Sequence, residues 1–294
     1  MRAIRAAAAA SAMAGSLAAC SLFTSFGDLS AGDDSTPDVA SEAGASEAGA
    51  SEAGASEAGG DASQDAPSND PLSCNDPDLV LGWSFDEGQG TVAFDCGPTK
   101  INGIFGGITG AASWGQRDAG GALEIFGRGD VQVESRSELD PAGSMSVTAF
   151  VRSDEDPIGY AYLAYHLGSG GGGNVYGWEL TLDSAGRLYA VIGFGAGTAV
   201  ADFPPLVAAR WTHVAFVYDV GTSFEIYVDG ASITKKTTLK DGKPLPSSGP
   251  TPAPGGRDFY VGAESGSTWK GAVDEVRVYR RALTAGEISA LAGR

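Results

Sequence analysis

The sequence contains few histidines, few cysteines and no long apolar run. Its 294 residues include only two His and three Cys, so few side chains are available to bind a transition metal or to form a nucleophile–base pair. The G-x-S-x-G nucleophile motif is absent from the sequence. The longest apolar segment, residues 6–19, has 14 positions, whereas a membrane-spanning helix needs about 20. These absences argue against metal-dependent or triad catalysis and against a spanning helix.

The N-terminus has the layout of an export signal. Arg2 and Arg5 precede the apolar run, whose length is typical of a signal peptide. The run ends at Leu17–Cys20, which resembles the bacterial lipobox. That resemblance implies cleavage after residue 19 and lipidation of Cys20, with Ser21 favouring the outer membrane. A spanning helix and a cleaved signal of a soluble secreted protein are the alternatives. We therefore predict a lipoprotein signal peptide over residues 1–19 and a lipid-anchored protein at the outer membrane or cell surface.

The net charge of −18 is concentrated in one part of the chain. Residues 21–78 hold 13 of the 37 Asp and Glu residues and no Lys or Arg, and the SEAGA unit repeats from residue 41. Such acidic, Gly-rich sequence lacks the apolar residues that a core requires. We predict a disordered linker over residues 20–73 and a folded domain over residues 74–294. Because the domain itself is only mildly acidic, nucleic acid is not an expected partner.

The two remaining cysteines, Cys74 and Cys96, form an even pair in an exported chain, which predicts one disulfide. Neither has a histidine nearby in the sequence, so a metal pair or a reactive thiol is the weaker alternative.

The domain shows the alternation of apolar and polar residues that is typical of antiparallel β-strands. Leu79 to Asp86, Trp178 to Leu182 and Phe224 to Asp229 all alternate with period two. Only one short helix is expected, near the C-terminus, where Thr284 and Glu287 form a capping box. The pattern predicts an all-β sandwich or jelly roll.

Several blocks resemble laminin-G-like (LamG) domains of the concanavalin A-like class, and they occur in the order found in that family. The blocks are Leu81–Gly90, Gly120–Gly127, Asp130–Val133, Trp211–Tyr218, Phe224–Gly230, Phe259–Gly262 and Gly271–Leu283. The resemblance implies a jelly-roll sandwich of two antiparallel sheets with roughly a dozen strands, in which the first and last strands lie side by side.

The resemblance also raises the question of catalysis, because laminarinase-type glycoside hydrolases share this fold. Those enzymes carry their acids at Glu-x-Asp-x-x-Glu spacing, and this sequence has no such triplet. The acidic run at residues 154–156 precedes Pro157 and is typical of a solvated turn. His213 lies in a strand pattern, where a partly buried structural role is the simpler interpretation. We therefore predict that the chain is not an enzyme.

Calcium is the cofactor that the acidic residues favour. Asp274 alternates with valines, and a carboxylate on that side of a strand needs a partner or a cation. Asp86 and Asp95 flank the opening strand, which is expected beside the closing one. These three residues predict a structural Ca²⁺ site, with Asp130 as a second candidate. The alternative is that Asp274 accepts backbone N–H bonds or pairs with Arg277 or Arg280.

A ligand surface is predicted where aromatic and polar residues cluster in Gly-flanked segments interpreted as loops. Sugars are bound by aromatic faces and planar polar groups, and ordinary aromatic packing is the alternative interpretation for each residue. The candidates are Tyr160, Tyr162, His166, Asn174, Tyr176 and Trp269.

Two classes of function are compatible with these features. The first is a non-catalytic module that binds a surface or extracellular glycan, or mediates adhesion. The second is a protein-binding or structural envelope lipoprotein, and a glycoside hydrolase is a distant third. In both leading classes the lipid anchor is the only expected contact with the membrane.

Overall fold

The computed structural model describes residues 73–107, 110–118, 120–154, 161–183, 187–262 and 269–294. The predicted signal peptide, Cys20, nearly all of the predicted linker and Tyr160 lie outside these ranges. Within them, no helix is both long and apolar enough to span a bilayer.

The described residues form sixteen strands and one α-helix. The strands are β1 (Leu79–Trp83), β2 (Val92–Ala93), β3 (Gly103–Gly107), β4 (Ala112–Arg117), β5 (Gly120–Phe126), β6 (Gly129–Val133), β7 (Met145–Ser153), β8 (Ala161–Ser169), β9 (Val175–Leu182), β10 (Leu188–Gly195), β11 (Thr198–Asp202), β12 (Thr212–Asp219), β13 (Ser223–Val228), β14 (Ala231–Lys236), β15 (Phe259–Gly262) and β16 (Lys270–Tyr279), and the helix is α1 (Ala285–Ala292).

The strands form two antiparallel sheets of eight strands each. Sheet A has the order β14-β13-β12-β7-β16-β5-β4, with β1 also paired to β16. Sheet B has the order β11-β10-β9-β8-β15-β6-β3-β2. The predicted all-β sandwich of two antiparallel sheets is confirmed, with more strands than the expected dozen.

The first and last strands pair as predicted, with Trp83 opposite Val276. On the side away from β7, strand β16 pairs with two strands in succession. Its first half pairs with β5 and its second half with β1, and a register shift separates the halves between Asp274 and Arg277. Glu275 has a positive φ of 49° at this point, as expected for a β-bulge. The bulge thus lies where β16 changes its neighbour from β5 to β1.

The core consists of inward-facing side chains from both sheets. Trp83 and Phe216 project from sheet A, and Trp178 and Phe259 from sheet B. Phe259 links the two tryptophans, with ring centroids 5.5 Å from Trp83 and 5.7 Å from Trp178. The two indole N–H groups are not left unpaired, since they donate to the carbonyls of Ile101 and Leu139 respectively.

Helix α1 begins at a capping box, as predicted. The Thr284 hydroxyl accepts the Glu287 N–H, and the Glu287 carboxylate accepts the Thr284 N–H. Ile288 and Leu291 are buried on its inner side. They pack against Val217 and other apolar residues of sheet A, so the helix covers part of that sheet's outer face.

The predicted disulfide joins Cys74 to Cys96 across 22 positions. Closing a loop of this length stabilises the fold by about 3 kcal/mol in the chain-entropy model.

Candidate functional site: the tyrosine face of sheet B

The outer face of sheet B carries a row of three tyrosines from two adjacent strands. Tyr162 and Tyr165 project from β8, with ring centroids 4.0 Å apart, and the Tyr260 ring on β15 lies 6.3 Å from that of Tyr165. All three are half-buried. We call this outer face of sheet B, from Tyr162 to Ile104 on β3, the tyrosine face.

A β-bulge places the two tyrosines of β8 on the same face. Residues three apart project to opposite sides of a regular strand. Here the register shifts between Tyr162 and Ala164, so that Tyr162 pairs with Thr181 and Tyr165 with Glu179. Thr181 and Glu179 are two positions apart on β9 and therefore share a side. The bulge thus turns an irregular sequence spacing into a continuous aromatic surface.

A polar cavity of about 480 Å³ adjoins the tyrosines on strands β6 and β3. Its lining residues are Asn102, Ile104, Gln132, Val133, Glu134, Arg136 and Asp258. Gln132 pairs with Tyr260 in the sheet, and the Tyr260 hydroxyl lies 3.2 Å from Asp258 Oδ2. Carboxamide, carboxylate and guanidinium groups therefore stand beside an aromatic ring, which is the combination that recognises a polyhydroxylated ligand.

The surface continues to the edge strand β2. Ile104 pairs with Val92, and Ile104 and Phe94 are each 58% exposed. Val92 and Phe94 line a further cavity of about 540 Å³, together with Glu87. The face therefore extends from the tyrosines to an apolar rim.

Two carboxylates of the tyrosine face are buried. Glu179 on β9 is 6% exposed, and its burial raises its pKa to about 7. Asp130 on β6 is 8% exposed, and its burial raises its pKa to about 6. Asp130 Oδ1 has no hydrogen-bond partner among the described residues. Both groups carry a cost in their charged form because water is excluded from them.

The two buried acids are too far apart to act as a glycosidase pair. Strands β8 and β15 separate Glu179 from Asp130, so their backbones are three strand spacings, about 14 Å, apart. Glycoside hydrolysis requires two carboxyl groups about 5–9.5 Å apart. These acids therefore do not supply that chemistry.

Of the predicted ligand residues, Tyr162 lies on the tyrosine face. Asn174 and Tyr176 lie at the β8–β9 end of sheet B, where the Asn174 amide donates to the Tyr176 hydroxyl at 3.3 Å. The Tyr176 ring lies against Gly170 and Gly195. The segment around Tyr162 was expected to be a loop, which is wrong, because it is strand β8. Ligand binding by these residues stays a prediction.

Two predicted ligand residues are buried and cannot contact a ligand from solution. Trp269 was expected to be exposed but is fully buried, and its indole N–H donates to Ser153 Oγ at 3.2 Å. His166 is 2% exposed, and its Nε2 lies 3.2 Å from Asp140 Oδ1. Both side chains support the sandwich from within.

Three of the four carboxylates predicted to bind calcium accept hydrogen bonds from the protein. Asp95 accepts four hydrogen bonds, three of them from backbone N–H groups and one from the Thr99 hydroxyl. Asp274 pairs with Arg117 and accepts the Glu275 N–H, while Asp86 accepts the Gly121 N–H.

The predicted calcium ligands therefore do not form one site. No group of three His, Cys, Asp or Glu side chains that could hold a metal occurs in the part of the chain that the structure describes. The alternative for Asp274 was that it accepts backbone N–H bonds or pairs with Arg277 or Arg280. It does accept the Glu275 N–H, and its ion-pair partner is Arg117. Asp130 has no such partner, so calcium there stays a prediction.

A family profile places this architecture among known proteins. The profile of the concanavalin A-like lectin/glucanases superfamily, of the laminin-G type, matches residues 126–289. The chain belongs to this superfamily. Among curated proteins, none matches the sequence.

Solved structures with the same fold are distant in sequence. The binding domain of botulinum neurotoxin DC in complex with SialylT is 12% identical with a TM-score of 0.55, and 75% of this chain covers 52% of that one. The binding domain of Paraclostridial mosquitocidal protein 1 is 12% identical with a TM-score of 0.56, and the shares are 73% and 52%. A Trypanosoma rangeli sialidase mutant is 18% identical with a TM-score of 0.52, and the shares are 73% and 32%. The chain thus spans about half or less of each of these three structures.

The tyrosine face includes residues that the sequence analysis missed. Tyr260 and Gln132 lie in blocks that carried the family resemblance, and nothing local marks them as ligand residues. Glu179 alternates with Trp178 and Leu180, which placed it on an outward side. Pairing of distant strands is the signal that joins these residues, and a single sequence does not contain it.

Proposed function

We propose that this chain is a non-catalytic glycan-binding module and that the tyrosine face is its binding surface. The observation that carries the proposal is the continuous row from Tyr165 through Tyr260 to the polar cavity at Gln132 and Asp258. Aromatic rings pack against the C–H faces of sugars, and the polar groups beside them can satisfy sugar hydroxyls.

The family and its relatives support a binding role. Two of the structures with this fold are described as binding domains, and one of these was obtained in complex with SialylT. Another relative is a sialidase. The wide separation of Glu179 and Asp130 supports binding without hydrolysis on this face.

We further propose that Cys20 carries a lipid anchor and that the module is held at the outer membrane or cell surface. The basic start, the apolar run and the lipobox-like residues support this. Metabolic labelling with an alkyne fatty acid tests it, because label should enter the intact chain and be absent from the Cys20→Ser variant. Label retained in that variant contradicts the anchor.

A glycan array probed with the Cys20→Ser chain tests the binding proposal. For a glycan that binds, Tyr165→Ala and Tyr260→Ala should each weaken binding at least tenfold, or about 1.4 kcal/mol. Ile233→Ala on β14, a 47% exposed residue of sheet A, is the matched control and should bind normally. Circular dichroism checks that each variant is folded.

The outcome also discriminates between the candidate surfaces. Loss of binding in Tyr176→Ala but not in Tyr165→Ala moves the site to the β8–β9 end. Hydrolysis of an arrayed or soluble glucan contradicts a non-catalytic role.

Protein binding is the second candidate, and the apolar rim favours it. Ile104 on β3 and Phe94, which directly follows the neighbouring strand β2, are both exposed. One neurotoxin binding domain of this fold was obtained in complex with rat synaptotagmin II. Capture of one defined envelope protein that is lost in Phe94→Ser, in a chain that binds no glycan, supports this function over the first.

A further inference from the structure

We infer that the tyrosine face accepts uncharged or amino-bearing glycans and rejects glycans that carry carboxylates or sulfates. This inference rests on the proposed function and assigns the ligand class of the same face.

The strands of sheet B contain no positive charge. Their described residues include three carboxylates, Asp130, Glu179 and Asp202, and no Lys or Arg. Sheet A contrasts with this, because its strands carry six basic residues. They are Arg117, Arg152, Lys235, Lys236, Lys270 and Arg277. The absence on sheet B is therefore a property of that sheet and not of the domain.

The loops beside the face carry charges of both signs, including Arg128 before β6 and Arg257, which precedes Asp258 and lies against Gly168 of β8. In the polar cavity, Arg136 is the one basic lining residue, and Glu134 and Asp258 oppose it. Arg187, at the β9–β10 turn, is bonded to Asp183 at 2.7 Å. The segments between residues 73 and 294 that the structure does not describe contain three acidic residues in their sequence and no Lys or Arg.

The acids of the face are poorly hydrated, and their raised pKa values leave Glu179 partly ionised and Asp130 mostly ionised at pH 7. Asp130 Oδ1 is buried without a partner among the described residues, and Glu179 is 6% exposed. A charge acts more strongly through a medium of low polarity than through water. A sialic acid or uronic acid laid along the tyrosines would meet these carboxylates, while the one guanidinium of the cavity, Arg136, shares its lining with Glu134 and Asp258.

The same groups favour hydroxyls and ammonium groups. A carboxylate accepts hydrogen bonds from sugar hydroxyls, and the Gln132 carboxamide both donates and accepts. An amino sugar adds an attractive charge. The row from Tyr165 on β8 to Val92 on β2 crosses four strand spacings, about 19 Å, which suits an oligosaccharide of several units better than a single sugar.

Paired glycans that differ in charge test the inference. The Cys20→Ser chain is titrated with a neutral oligosaccharide of N-acetylglucosamine, its de-N-acetylated form and an oligouronate of equal length, and with sialylated and desialylated forms of one glycan. We expect the anionic member of each pair to bind at least tenfold more weakly. Raising the salt from about 50 mM to 500 mM should narrow the gap, because the Debye length shortens.

A charge reversal within the cavity provides the matched variant. Glu134→Lys should reduce the discrimination against anionic glycans at least threefold. Asp241→Lys, which makes the same change of charge in the turn after β14, should leave it unchanged. Circular dichroism establishes that both variants fold.

The outcomes separate this inference from the proposed function. Tighter binding of the sialylated or uronate member overturns the inference and leaves glycan binding in place. Equal binding of both members, insensitive to salt, also overturns it. If no glycan of either charge binds, the proposed function fails and the inference fails with it.

Discussion

The outer faces of the two sheets are built from different materials. On sheet A, helix α1 covers part of the surface and ion pairs fill another part, with Asp274 bonded to Arg117 and Glu275 to Arg277 and Arg294. On the outer face of sheet B, the tyrosines and two buried carboxylates, Glu179 and Asp130, take the place of the helix and the ion pairs. The difference teaches that one face is closed by the protein's own chain, while the other retains groups whose bonding capacity a ligand can meet.

The buried titratable groups differ in the same way. On sheet A, His213 is 2% exposed and packs edge-on against Phe150, with ring centroids 5.0 Å apart. Burial lowers its pKa to about 4, so it is neutral at pH 7. On sheet B, burial raises the pKa of Glu179 to about 7. One face therefore contains a base that is neutral at pH 7, and the other contains an acid that is only partly ionised there.

The largest expected effect comes from a substitution in helix α1, which covers part of the outer face of sheet A. Ile288→Ala removes a fully buried side chain from the helix and should lower the free energy of unfolding by about 2–5 kcal/mol. Urea unfolding measures this change. Glycan binding by the folded fraction should be unchanged, since Ile288 packs on sheet A. A loss of affinity in fully folded protein would mean that the two faces are coupled.

The next largest effect is the pH dependence of the free energy of unfolding, to which Glu179 on sheet B contributes. The raised pKa of Glu179 means that the folded state holds a proton that the unfolded state has released. Stability is therefore fully present below about pH 4.5 and decreases as the pH rises to about 7, by about 3 kcal/mol for this group. Asp130 and Asp274, whose pKa values burial raises to about 6, add to the same slope.

Glu179→Gln should remove its share of this slope and stabilise the protein by about 2–3 kcal/mol at pH 8, with a much smaller change at pH 4.5. Chemical unfolding across this pH range is the measurement. An unchanged slope would show that Glu179 is ionised without cost in the folded protein.

His213 should make the free energy of unfolding change with pH in the opposite direction. Because its pKa is lowered, its contribution is present above about pH 6.5 and is lost as the pH falls toward 4, by about 2–3 kcal/mol. His213→Gln should flatten this pH dependence, whatever offset the lost packing adds at all pH values. The slope of unfolding free energy between pH 4 and pH 6.5 is the quantity to compare with wild type.

Local features of the chain were predictable from sequence. The capping box of Thr284, the pairing of Cys74 with Cys96 and the adjacency of the first and last strands follow from short-range chemistry or from the order of the family blocks. Alternation identified strands, because each half-buried strand records its two environments in period two.

The candidate site was less predictable because it depends on irregularities and on distant pairing. The β-bulge after Tyr162 interrupts the period-two alternation of β8, so this segment was interpreted as a loop. Trp269 was expected to be exposed because small polar residues precede it, yet its ring fills the core. Tyr260 joins Tyr165 only through the pairing of β15 with β8, which connects segments almost a hundred residues apart.

The disulfide between Cys74 and Cys96 would have a mechanical consequence in a domain anchored through Cys20, as proposed above. A pull that arrives through the chain before Cys74 passes directly to Cys96, so strand β1, which lies between them, is bypassed and cannot be peeled away first. The force is then applied to the turn that follows Asp95, which is stabilised by the four hydrogen bonds that the Asp95 carboxylate accepts. The disulfide would thus resist a shear force on an anchored domain. A reducing agent would open the disulfide and remove this resistance.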